Sequence, residues 1–109
     1  MAVKKQFSNL QELLQRAGVP VLVDFYAPWC GPCQMMAPIL SQLSQRLGSQ
    51  LQVAKIDTDR YPQLANQYGV RTLPTLVLFR DGQPADRIEG VMQAQELIGR
   101  LQPQLDAAR

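Results

Sequence analysis

Cys30-Gly31-Pro32-Cys33 places the chain's only two thiols three positions apart, in a sequence of 109 residues. Residues three apart in the first turn of a helix stand on one side of it, so the two sulfurs can meet. Pro32 suits that turn, because an early helical position needs no N–H. Gly31 leaves the first sulfur open to another protein. The chemistry that this spacing suits is thiol–disulfide exchange, in which a thiolate attacks a disulfide sulfur. The chain has no histidine. No Cys–His nucleophile pair can form, and two thiols cannot close a four-ligand zinc or iron–sulfur site within one chain. No metal site is expected.

The motif follows an apolar run and opens a helix, a place where α/β sheets put reactive groups. Unpaired N–H groups at a helix start favour an anion by about 0.3–2 kcal/mol. At about 1.4 kcal/mol per pKa unit, that lowers the Cys30 pKa by a fraction of a unit to somewhat over one unit. Cys30 is then the expected nucleophile. Cys33, one turn further in and more buried, is the expected resolving thiol and keeps its proton until it is needed. Asp24 lies six residues before Cys30, inside an otherwise apolar strand. Burial raises a carboxyl pKa, and such a group could accept the Cys33 proton directly or through one water. The competing reading is a structural carboxylate paired with Lys55. Lys55 is either that partner, tuning Asp24, or a solvated strand residue.

The elements that must position these groups follow from periodicity. Ser8 and Gln11 have capping-box spacing, and Leu10, Leu13, Leu14 and Ala17 form one helical face that ends at Gly18. Val21–Tyr26 is a buried strand. The helix after the motif carries Met36, Leu40, Leu43 and Leu47 on one face and stops at Gly48, with a kink expected at Pro38. Met35 and Met36 look like core filler. Leu51–Asp57 is a strand. Asp59 can cap a short helix with Pro62 in its first turn. Thr75–Phe79 is a strand, and Asp81-Gly82 is a hairpin turn leading to a partner strand through Arg87 and Ile88. A last helix carries Leu97, Ile98, Leu101 and Leu105, with Pro103 weakening its final turn. A short strand near Val3 completes the set. Strands joined by helices should pair in parallel, with the hairpin adding an antiparallel edge. The expected fold is α/β: a mixed central β-sheet flanked by helices on both faces, in one domain over residues 1–109.

Apolar residues make up 46% and charged residues 18% of the chain, a globular composition. The net charge of +2 is too mild, and the basic residues too scattered, for a nucleic-acid surface. No apolar run approaches the roughly 20 residues that span a bilayer. Lys4-Lys5 is not followed by an apolar stretch, so no secretory signal is expected. A reducing, cytoplasmic setting is the expectation.

Val23-Asp24-Phe25-Tyr26-Ala27-Pro28-Trp29-Cys30-Gly31-Pro32-Cys33 resembles the active-site signature of the thioredoxin family. Lys55, Thr72-Leu73-Pro74-Thr75, Asp81-Gly82 and Gly90 also stand where the family pattern has them, so the resemblance covers nearly the whole chain. It implies the thioredoxin fold and a protein-disulfide reductase working through a mixed disulfide. It implies a cis bond before Pro74, facing the dithiol, and strand-like pairing of target segments with the Leu73 backbone. Trp29, Gly31, Pro32, Gly90 and Val91 would form a flat apolar surface around Cys30. Tyr26 departs from the pattern, standing where many relatives carry a second tryptophan. Gln34-Met35-Met36-Ala37-Pro38 is similar to the y-type thioredoxins of cyanobacteria and plastids. Plastid stroma is therefore the alternative location, if a transit peptide has been removed.

One dithiol delivers two electrons and then stops. No nucleotide-binding glycine fingerprint is present and no cofactor is expected, so a separate thioredoxin reductase, NADPH- or ferredoxin-dependent, must recharge it. The other expected partners are disulfide-containing target proteins; the chain is expected to act as a monomer, without nucleic acid or membrane. Gly31-Pro32 puts no charge between the cysteines to favour an oxidant. An oxidase or isomerase, a docking module that does not use its thiols, and a metal site shared between two chains are the competing readings.

Overall fold

The computed structural model describes residues 3–4 and 9–107. The strands are β1 (Val3–Lys4), β2 (Val21–Tyr26), β3 (Gln52–Asp57), β4 (Thr75–Arg80) and β5 (Gln83–Glu89). The helices are α1 (Leu10–Arg16), α2 (Gly31–Gln34), α3 (Met36–Leu47), α4 (Pro62–Gln67) and α5 (Ala94–Ala107). The sheet order is β1-β3-β2-β4-β5. β2 lies at its centre, hydrogen-bonded to β3 on one side and β4 on the other.

Period-2 alternation splits the core into two layers. Leu22, Val53, Leu76 and Leu78 pack against α3 and α5 through Met36, Leu40, Leu97 and Leu101. Val21, Val23, Phe25, Ile56, Val77 and Phe79 pack on the other face with Leu10 and Leu13 of α1 and with Leu64 and Tyr68 at α4. Asp24 has the parity of Leu22, so it enters the α3 side of the sheet. Lys55, its Cα partner in β3, has the parity of Val53 and shares that face.

Helices and sheet form as the periodicity predicts, but strand direction does not follow the simple rule. β4 runs antiparallel to β2, with Phe25 opposite Thr75 and Val21 opposite Phe79. The expectation that every helix-joined strand pairs in parallel is corrected here. α4 has six residues and spans about 9 Å, while a six-residue strand covers about 20 Å. Such a helix cannot carry the chain back along β3. The chain therefore enters β4 at the end of the sheet where β3 leaves it. Asp81 (φ 53°) and Gly82 (φ 79°) both adopt the left-handed conformation that a two-residue hairpin needs, and β5 returns as the edge strand.

Four local expectations change. The cap of α1 is Asn9, whose Oδ1 accepts from the Glu12 amide at 3.0 Å; Ser8 lies outside the described residues. The helix after the motif breaks at Met35 rather than kinking at Pro38. Pro38 has no N–H for the carbonyl four residues back, at Gln34, and Gln34 is the last residue of α2. Asp59 does not cap α4, which starts after Tyr61 with no side-chain cap. Pro103 lies inside α5 without ending it, because it faces solvent while Leu101 and Leu105 hold the helix to the core.

Candidate active site

Cys30 and Cys33 are joined by a disulfide, with their Cα atoms 5.3 Å apart. That separation is ordinary for a disulfide. The sequence produces it locally. Cys30 is the extended residue that caps α2, and Pro32 occupies the first turn of that helix. The Cys33 amide donates to Cys30 Sγ at 3.2 Å. In the reduced protein this N–H is placed to stabilise an anion on the same sulfur. Because α2 ends after four residues, the favourable field at Cys30 comes from these local amides more than from one long helix.

The two sulfur-bearing residues do not differ in exposure. Cys30 is 4% and Cys33 5% exposed, so the expectation of a more deeply buried Cys33 does not hold for the disulfide form. A bonded pair shares one environment. What separates the two is direction. Cys30 lines a groove of about 500 Å³ together with Trp29, Gly31, Pro32 and Leu73, and Cys33 does not.

Asp24 is completely buried, and neither carboxyl oxygen accepts a hydrogen bond. Burial raises its pKa to about 7; the positive charge of Lys55 pulls the other way and is the smaller effect. Lys55 makes no salt bridge to Asp24. Its ammonium instead sits over the Tyr26 ring, 4.5 Å from the centroid. The structural ion pair that competed with a proton-transfer role is therefore not formed.

The Leu73–Pro74 peptide bond is cis. Pro74 is buried, and Leu73 packs against Ala27, Cys30 and Cys33. The Gly90 amide donates to the Pro74 carbonyl at 2.8 Å, which ties the start of the last loop to the proline. Gly90 has φ +87°, a conformation that glycine adopts without strain. Val91 packs partly against the α3–α5 core and does not line the groove. Among the described residues, Trp29, at 71% exposed, and Met35, at 54%, are the large apolar side chains left open to solvent. Met35 is thus not core filler, whereas Met36 is fully buried.

Sequence reasoning missed the residues that hold Trp29. Its indole Nε1 donates to Asp59 Oδ2 at 2.9 Å. The loop carrying Asp59 is fastened to the end of β2, because both the amide and the hydroxyl of Thr58 donate to the Tyr26 carbonyl. The Asp59 amide in turn donates to Asp57 Oδ1 at 2.9 Å. These bonds join residues 30 or more positions apart or lie in a turn, so no periodic signal marks them. Trp29 is the chain's single tryptophan, so the tryptophan emission of the protein comes from this site. Asp59→Ala is expected to red-shift that emission and weaken target capture about two- to tenfold, the net worth of one ordinary hydrogen bond, because this one is exposed to water. Unchanged emission would show that Asp59 does not hold the indole.

A paired dithiol at the start of a helix, next to the residue that precedes a cis-proline and following a strand that buries a carboxyl, is the site of a thiol–disulfide oxidoreductase. The thioredoxin family model matches residues 1–103, and the chain belongs to that family. A thioredoxin-like protein of Synechocystis sp. is 64% identical over 102 residues, covering 94% of this chain and 97% of that protein. Thioredoxin Y1 of Arabidopsis thaliana chloroplasts is 50% identical over 104 residues, covering 95% of this chain. Chloroplastic thioredoxin Y of Oryza sativa is 48% identical over 108 residues, covering 99% of this chain. The alignments span 60% and 64% of those two plant proteins. The likeness is thus to the y-type branch. A crystal structure of chloroplastic thioredoxin z superposes with TM-score 0.84 at 33% identity, covering 98% of this chain and 96% of that one. Thioredoxins act on disulfide-bearing targets and are recharged by a reductase.

Proposed function

We propose that Cys30 is the attacking sulfur, Cys33 the resolving one and Asp24 the proton acceptor in the reduction of protein disulfides. The observation that carries this reading is that Cys30 alone of the pair lines the groove. The Cys30 thiolate attacks a target disulfide, forming a Cys30–target bond and releasing one target sulfur as a thiolate that takes up a proton. Cys33 passes its proton to Asp24 and attacks Cys30 Sγ. The Cys30–Cys33 bond forms and the second target sulfur leaves. Two electrons move from the dithiol to the target.

The target segment lies along Leu73, whose amide and carbonyl have no hydrogen-bond partner among the described residues. A backbone so placed can pair with an added extended segment. Trp29, Gly31 and Pro32 supply the apolar contact, Pro74 and Gly90 hold Leu73 in place, and Val91 flanks them. Lys55 tunes Asp24 through its charge. The chain works as a monomer that carries electrons for cell redox homeostasis, in a cyanobacterial-type cytoplasm or a plastid stroma. Its electron donor is a thioredoxin reductase driven by NADPH or by ferredoxin. Among the described residues no helix is long and apolar enough to cross a membrane.

Insulin reduction run with each reductase tests the reading. Insulin should precipitate with the wild type and at least one donor, and not with Cys30→Ser; the donor that sustains turnover identifies the upstream system. Equal precipitation by wild type and Cys30→Ser would remove the dithiol from the reaction.

A further inference from the structure

Among the described residues, only one on the wall of the Cys30 groove carries a formal charge, and that residue is Arg71. It is exposed, and among the described residues its guanidinium has neither an ion pair nor a hydrogen bond. Three other arginines are engaged. Arg87 donates to the carbonyls of Tyr68 and Gly69 and lies 3.8 Å from Glu89. Arg100 is paired with Asp86 at 2.8 Å. Arg60 lies over the Tyr61 ring. The acid nearest to Trp29 by contact, Asp59, is not part of the groove wall and gives one oxygen to the indole.

The segment that carries Arg71 is braced on both sides. Upstream, the Val70 amide donates to the Ala65 carbonyl at 2.9 Å, and Arg87 clamps the two preceding carbonyls. Downstream, the Thr75 hydroxyl donates to the Thr72 carbonyl, and Pro74 is tied to Gly90. Val70, Arg71 and Leu73 all line the groove. A fixed backbone thus presents one unpartnered cation beside the open backbone of Leu73 and the reacting sulfur.

We propose that Arg71 is a specificity-determining residue, selecting target segments that carry an aspartate or glutamate close to the disulfide cysteine that Cys30 attacks. The inference rests on the assignment of Cys30 as the attacking sulfur. An extended segment advances about 3.3 Å per residue, so the carboxylate belongs within about three residues of the attacked cysteine. The guanidinium suits a carboxylate because it offers planar, paired donors. No acidic side chain lines the groove to repel that partner.

The test uses disulfide-closed peptides that differ only at one position two residues from the attacked cysteine: Glu, Gln or Lys. The rate of their reduction by the pre-reduced protein is followed in stopped flow by Trp29 fluorescence. Exposed ion pairs of this kind change affinity by about two- to fivefold, so the wild type should prefer Glu over Lys by about three- to tenfold. Arg71→Gln should bring that ratio close to unity and Arg71→Glu should invert it. The preference should shrink as salt rises from about 20 mM to about 500 mM, where the screening length falls below 5 Å. A ratio that is the same in wild type and Arg71→Glu overturns the inference alone. Failure of the wild type to reduce any of the peptides overturns the assignment of Cys30 together with the inference.

Discussion

Cys33→Ser is expected to convert the protein from a catalyst into a trap. The variant keeps the Cys30 thiolate and the groove, so the first attack proceeds and a target remains bound through a mixed disulfide. Release then depends on thiol from solution. A neighbouring thiol held in reach acts at an effective concentration far above the roughly millimolar thiol of an assay, so turnover should fall about 10³-fold or more. Non-reducing electrophoresis after exposure to disulfide-bearing targets should show adducts that collapse on adding dithiothreitol. Cys30→Ser should show none. Adducts formed equally by the two single variants would mean that either sulfur can attack, and that the groove does not select between them.

Asp24→Asn carries the second large effect, with two signatures. Asp24 is isolated in the sheet with both oxygens unpartnered and a pKa of about 7. It accepts a proton only when ionised, so resolution in the wild type should slow as pH falls through about 7. The asparagine variant should lose that inflection. At pH 8 its resolution step should be slower by about 10- to 100-fold, within the range of a lost general base, while the initial attack changes little. Quenched-flow measurement of mixed-disulfide decay separates the two steps. An unchanged decay rate in the variant would take Asp24 out of the reaction.

Stability moves in the opposite sense. A carboxyl whose folded pKa lies above its unfolded value penalises the folded state once it must ionise. The penalty is absent below about pH 4, grows as pH rises and levels off above about 7. From 3.8 to about 7, at about 1.4 kcal/mol per unit, it reaches at most about 4 kcal/mol. Asp24→Asn should therefore be more stable than wild type by about 2–4 kcal/mol at pH 8, with the gap closing below about pH 4. Urea denaturation of the oxidised forms across that range measures it. A residue that lowers stability while speeding one chemical step is the expected mark of a site group.

Much of this site is legible in the residues because its parts are local. The capped turn that brings the two sulfurs together lies within Cys30–Cys33. The carboxyl stands out because Asp24 interrupts an apolar strand, and Asp81-Gly82 needs no distant partner to form its turn. Features set by distant contacts were not legible. The direction of β4 depends on how far α4 can carry the chain, which is a matter of geometry rather than of pattern. Asp59 looked like a helix cap because its type and position suited one. Its carboxylate instead meets an indole that the fold brings from another loop. Lys55 shows the same limit: a link to Asp24 was one of two open readings, while its register opposite Asp24 and its place over the Tyr26 ring came only with the fold. The similar exposure of Cys30 and Cys33 reflects the bond between them, a state that residue types do not encode.

The measurement that bears most directly on the account is position-resolved alkylation of the freshly reduced protein. Iodoacetamide labelling is followed by mass spectrometry from about pH 5 to 10. Residue 30 should react with a midpoint below the ordinary thiol value of about 8.5, by up to somewhat over one unit, and well ahead of residue 33 at neutral pH. Slow labelling of both positions at matching rates near pH 7 would contradict it.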